Sequence, residues 1–171
     1  MKRYLTLAAL MLSFSLAYCQ EAPKMQFVCE LNVKLNPALV PGETPHGIRR
    51  IIPITGGTVT GPAIKGEIVD GGADWQIIRK DGVAEIDARY TIKTEDGTLI
   101  FIKNTGIRVA SPEVAAKLAK GEAVPASEYY FRTVLSFEAP LGKYDWLNKA
   151  LFVCNAEKVP GAAIIRVWRI L

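Results

Sequence analysis

A single histidine, His46, and three cysteines are the only soft metal ligands in the 171-residue chain apart from its few methionines. They never fall into a Cys-x-x-Cys, His-x-His or Glu-x-x-His spacing, so the usual zinc and iron sites are not encoded. His46 lies in a stretch rich in proline and glycine, where a solvated imidazole is the default. Gly-x-Ser-x-Gly is missing, which removes the nucleophile elbow of the serine hydrolases. Gly56-Gly57 and Gly71-Gly72 are not followed by helical patterns and so lack the context of a phosphate or dinucleotide cradle. They are read as turns. There is no repeat and no low-complexity segment. Excess charge of one sign is also missing: 21 basic residues face 17 acidic ones, and without Lys2 and Arg3 the balance is 19 to 17. The basic residues do not cluster, so no nucleic-acid footprint is present. The expectation is no cofactor, no metal and no nucleic-acid partner.

The N-terminal apolar run, Leu5 to Ala17, is thirteen residues long. A bilayer span needs about 20. Following Lys2-Arg3 and preceding Ala17-Tyr18-Cys19, it fits the core of a signal peptide cleaved after Cys19. Residues 1–19 are read as a leader and residues 20–171 as one domain, exported to the periplasm or secreted, with no integral membrane segment after cleavage. Leu16-Ala17-Tyr18-Cys19 resembles a bacterial lipobox, but Tyr18 stands where that motif takes a small residue. A lipid anchor is therefore the lesser alternative.

What the chain does have is alternation. In Gln26 to Leu35, the residues Phe27, Cys29, Leu31, Val33 and Leu35 share one face and Glu30, Asn32 and Lys34 the other, which is a half-buried strand. Asn36 to Gly47 reads as a loop or lid. Arg49 to Ile54 is a strand that Thr55-Gly56-Gly57 breaks, Thr58 to Thr60 a short one, and Ala63 to Val69 another. Gly71 to Gln76 and Glu85 to Tyr90 flank Asp81-Gly82, a strong hairpin signal. A second tight turn, Glu95-Asp96-Gly97, leads into Thr98 to Lys103. Ser111-Pro112-Glu113 caps the one convincing helix, whose body runs from Val114 to Lys120 and ends at Gly121. Glu128 to Glu138, Tyr144 to Cys154 and Ala162 to Ile170 read as long strands. So many short strands with one helix leave no room for βαβ crossovers, and an all-β antiparallel barrel or sandwich is expected. Cys29 and Cys154 are taken as buried free thiols, with a bridge between the first and last strands as the alternative.

Several motifs in order resemble one family. Arg49-Arg50-Ile51-Ile52-Pro53-Ile54-Thr55-Gly56-Gly57, Gly71-Gly72-Ala73-Asp74-Trp75-Gln76, Asp87-Ala88-Arg89-Tyr90, Tyr129-Tyr130-Phe131-Arg132-Thr133 and Trp146-Leu147-Asn148 are similar to domain-of-unknown-function family 3237, also called uncharacterised protein family 0311. The resemblance runs from about Phe27 to Leu171 and implies a closed antiparallel β-barrel with an internal cavity. It implies no single activity, since cyclase-like roles have been attached only to some members. The chain departs from most members in its export leader.

The same motifs are dense in groups that do chemistry. Asp74, Asp87 and Tyr130 are the candidate acid–base residues, and Trp75, Arg89, Arg132, Trp146 and Asn148 the candidate substrate-binding residues. Two placements are open. Period-two logic puts Glu85, Asp87, Arg89 and Thr91 on one face and Ala84, Ile86, Ala88, Tyr90 and Ile92 on the other, with the polar face toward water. A wet barrel interior would instead gather Asp74, Asp87, Arg89, Tyr130, Arg132 and Asn148 around a small organic ligand, with the arginines holding anions. The first function expected is a cofactor-independent isomerase, cyclase or lyase working by proton transfer. A lipocalin-like carrier is the alternative, and a homo-oligomer is compatible with either.

Overall fold

The computed structural model describes residues 21–171, and the leader expected over residues 1–19 lies outside them. Ten strands follow the sequence: β1 (Met25–Leu35), β2 (Leu39–Thr44), β3 (Gly47–Thr60), β4 (Gly66–Ile68), β5 (Gly72–Ile78), β6 (Ala84–Thr94), β7 (Leu99–Val109), β8 (Tyr130–Glu138), β9 (Phe152–Val159) and β10 (Ala162–Ile170). The neighbours run β1-β10-β9-β8-β7-β6, then β4 and β5 side by side in one place, then β3, which pairs back to β1. Eight positions thus close an antiparallel barrel. β2 stays outside the ring, paired only with β3. Closure pairs the strands of the ring on both sides and leaves β2 as the remaining edge.

Alternation decides which side of each strand enters the barrel. In β6, Ala84, Ile86, Ala88, Tyr90, Ile92 and Thr94 are buried in strict register, while Asp87 and Arg89 point outward. One end of the interior is filled by Ile64, Ile92, Ile100, Phe137, Leu147 and Phe152. Phe137 meets Phe152 edge to face at 4.9 Å. Burying a side chain of this size contributes about 1.5–3 kcal/mol, so this plug anchors the fold.

Four local expectations change. Residues 39–44, read as loop, form β2, because β3 offers them a free edge at Gly47 to Ile51. β3 is not broken at Gly56-Gly57. Both glycines take positive φ and let a 14-residue strand bend from β5 toward β1 and β4. A Cβ on Gly57 would collide with the carbonyl oxygen of Asn32, so glycine is required there. β7 runs on to Val109, beyond Lys103. Asp145 to Lys149, read as strand, is a 3-10 turn before β9.

The helix, α1 (Pro112–Ala119), begins as expected: Ser111 Oγ accepts from the Val114 N–H at 3.2 Å, with proline in the first turn. It buries Val114 and Leu118 against the barrel. Cys29 and Cys154 are free and buried. Both pair with Val167 of β10, from opposite sides. Their Cα atoms are therefore two strand spacings apart, roughly 9–10 Å, beyond the reach of about 7 Å that a disulfide requires. Among the described residues, no helix is long and apolar enough to cross a membrane.

Candidate functional site

The barrel end opposite the apolar plug is polar inside. Arg50 on β3, Asp74 and Gln76 on β5, Arg108 on β7 and Lys158 on β9 all occupy inward-facing positions there. Their depth follows from register: Arg50 lies opposite Gln76, Ile52 opposite Asp74, and Ala84 opposite Arg108. Arg50 Nη1 donates to Gln76 Oε1 at 3.4 Å, and Gln76 Nε2 donates to Asp74 Oδ2 at 3.0 Å. Where β5–β6 pairing lapses at Trp75 and Gln76, the Asp87 N–H donates to Asp74 Oδ1 at 3.0 Å.

Asp74 is only 9% exposed. Burial raises its pKa from 3.8 to about 6, although the two donated hydrogen bonds and the charge of Arg108 pull the other way. Desolvation wins because a carboxylate out of water loses more than two hydrogen bonds return. Arg108 is equally buried, and its guanidinium stands 5.9 Å from the centre of the Phe131 ring. Burial and then Arg50 push its pKa down, against the attraction of Asp74. Lys158 is half-buried. Burial, then Arg108 and Arg50, lower its pKa from 10.5 to about 8. Three cationic side chains therefore share this end with one carboxyl.

A pocket of about 310 Å³ opens there, walled by Leu35, Ile52, Arg50 and Lys158, with Lys120 after α1 and Ala162 on β10 at its rim. Helix α1 is tied over it, since Lys158 Nζ donates to the Leu118 carbonyl at 2.5 Å. From the other side the Tyr129 hydroxyl accepts from the Lys158 N–H at 2.8 Å. The volume is at the low end of the range for small-molecule sites. Its charge suits an organic anion.

Of the residues singled out in the sequence, the structure places Asp74 in this polar end of the barrel, linked to Arg50 through Gln76 but not in the lining of the pocket, and disperses the others. Asp87 and Arg89 form a 3.1 Å ion pair on the outer face of β6, beside Trp75, whose ring lies 5.9 Å from the Arg89 guanidinium. Tyr130 is half-exposed on the outer face of β8, with the Arg132 guanidinium 5.2 Å from its ring. These two flank an external groove of about 510 Å³ that also touches Ile107, Asn155 and Trp168. Trp146 packs near Phe152 by the apolar plug. Asn148 clamps the chain by bonding both the N–H and the carbonyl of Ala139 at 2.9 Å. A shared interior for Asp74, Asp87, Arg89, Tyr130, Arg132 and Asn148 is not what folds, because period two sends the first two strand pairs outward and the last residue sits in a turn.

Arg50, Gln76, Arg108 and Lys158 stand beside Asp74 without a motif of their own, but three of them carry a signal in the sequence. Arg50 is in phase with Ile52 and Ile54, Arg108 with Ile100 and Ile102, and Lys158 with Phe152 and Cys154. A charge in step with the apolar side of a strand marks an interior polar site. Among the described residues no group of three or more His, Cys, Asp or Glu side chains is placed to hold a metal ion.

Comparison with known proteins assigns the family. The model of the family described as protein of unknown function (DUF3237) matches residues 23–170. The chain belongs to that family. A UPF0311 protein of Rhodopseudomonas palustris is 38% identical over 146 residues, covering 85% of this chain and 95% of that one. Its crystal structure superposes with a TM-score of 0.83 at 36% identity, over 88% of this chain and 99% of that one. A β-barrel-like protein of Acinetobacter baumannii gives 0.75 at 39% identity, over 89% and 99%. More distantly, a protein of Penicillium herquei named a hydroalkoxylation enzyme is 26% identical over 148 residues, covering 86% of this chain and 84% of that one.

Proposed function

We propose that this protein is a cofactor-independent enzyme that binds a small organic anion in the cationic barrel mouth and moves a proton at Asp74. One observation carries the reading: a buried carboxyl whose pKa lies near 6 shares the interior end of the barrel with Arg50, Arg108 and Lys158. A carrier needs a shaped pocket but no carboxyl poised near working pH, whereas a general acid–base group does. Carboxylate, phenolate and enolate ligands match the arginines.

The Penicillium herquei relative supports an enzymatic barrel of this type. Hydroalkoxylation adds an alcohol O–H across a carbon–carbon double bond. The oxygen forms the new C–O bond and the proton ends on the neighbouring carbon, so an acid and a base suffice and no electrons leave the substrate. Asp74 would trade that proton, Arg50 and Arg108 would hold the developing oxyanion, and the apolar wall of Leu35 and Ile52 would take the hydrocarbon. Export after cleavage following Cys19 completes the proposal, and the intact mass of protein expressed with its leader tests it.

Two phenols test the site. 4-Nitrophenol should bind as the coloured phenolate at a pH below its solution pKa, and Arg50→Met or Arg108→Met should abolish the colour. Incubation with 2-allylphenol in D₂O should give a cyclic ether bearing one deuterium on carbon, and Asp74→Asn should bind the phenol without cyclising it. Binding without turnover in the wild type moves the reading to a carrier. No binding removes the site.

A further inference from the structure

Lys158 does more than add a third positive charge. It stands on the interior face of β9 in phase with Phe152, Cys154 and Ala156, yet its side chain reaches the wall of the 310 Å³ pocket. No carboxylate is paired with it among the described residues; its ammonium partner is a neutral carbonyl, that of Leu118 at 2.5 Å. The other charges facing it are those of Arg50 on β3 and Arg108 on β7. An amine that is desolvated and set beside other cations, with no carboxylate to hold its proton, is the environment that makes lysine a carbonyl nucleophile. The lowered pKa agrees with this. Below pH 8 it leaves on the order of a hundredfold more free amine than an ordinary lysine has. The Leu118 carbonyl takes one N–H and leaves the nitrogen lone pair for the pocket.

We infer that Lys158 forms a Schiff base with the carbonyl of a small oxo acid whose carboxylate is held by Arg50, with the charge of Arg108 nearby. This rests on the anion-binding reading of the same pocket. The Lys158 nitrogen lone pair attacks the carbonyl carbon, forming the C–N bond while the π pair moves to oxygen. The amine's two protons pass to that oxygen, which leaves as water and gives the neutral imine; one further proton, taken up from solvent, makes the iminium. No oxidant or reductant takes part. The iminium then serves as the electron sink for proton removal or decarboxylation at the adjacent carbon.

The test is reductive trapping. The whole protein is incubated with pyruvate or levulinate and sodium cyanoborohydride, then weighed intact and mapped by peptide mass spectrometry. The expected result is one adduct, of the keto acid's mass less one oxygen, with labelling at Lys158 about tenfold above any other lysine. Lys158→Arg, which keeps the charge, and Lys158→Met, which removes it, should both lose that adduct while remaining folded by circular dichroism. If one variant fails to fold, the wild-type peptide map alone decides. Labels spread over the exposed lysines overturn the proposal. So does binding of pyruvate and of the non-carbonyl acid propionate to the same extent with no trapped adduct, an outcome that leaves the anion pocket standing. Failure of both acids to bind overturns the imine and the anion pocket together.

Discussion

Replacing Asp74 by asparagine should remove one specific slope from the stability curve of this protein. In the folded state burial raises the Asp74 pKa from 3.8 to about 6. Between those values the native state holds a proton that the unfolded chain has released. Stability contributed by this group is therefore complete below about pH 3.8 and is lost as pH rises through about 6. At about 1.4 kcal/mol per tenfold change in proton affinity, the whole loss is about 3 kcal/mol. Asp81, Asp96 and Asp145 have lowered pKa values that act in the opposite sense. The difference between wild type and Asp74→Asn isolates the one group. Urea unfolding at intervals from pH 4 to pH 7.5 should show the asparagine variant gaining on the wild type by about 2.4 kcal/mol, most of that total. The absolute offset depends on how Gln76 and the Asp87 N–H re-pair, but the change in offset does not. Parallel curves for the two proteins would refute a buried, proton-holding Asp74, and with it the acid–base role.

The outer-face residues should behave differently. Arg132→Ala should cost under about 1 kcal/mol, because its guanidinium meets only the exposed ring of Tyr130 and the neighbouring Phe131 carbonyl on the outer face, and its effect should add to that of Asp87→Asn; non-additive unfolding energies would return both residues to a common site. A chain starting at Gln20 should show two reactive thiols by thiol titration after denaturation without reductant, and almost none when folded. Burial raises the pKa of Cys29 and of Cys154 to about 12, and a count of zero after denaturation would mean a bridge despite the intervening β10.

Much of the barrel was legible in the residues themselves. Alternation is a local property with a period of two, so it assigned the two faces of β1 and β6 without knowledge of their neighbours. Asp81-Gly82 and the Ser111-Pro112 cap are equally local: a turn or a helix start depends on a few adjacent dihedrals, and both fell where expected. The motifs also carried the family. What the sequence left open was which strands meet. β2 and the unbroken β3 exist because a partner edge satisfies their backbone groups, and neither segment advertises that partner in its own composition. The site is the clearest case. Arg50, Asp74, Arg108 and Lys158 come from four strands, and only the register and closure of the barrel bring them to one end. Each of the three cations reads alone as one more charge on a strand. Once the barrel closes, burial and the neighbouring charges of Arg108 and Arg50 together lower the proton affinity of Lys158. Local pattern fixes the face a side chain occupies; long-range pairing fixes what it faces, and electrostatics in a water-poor interior turns that meeting into chemistry.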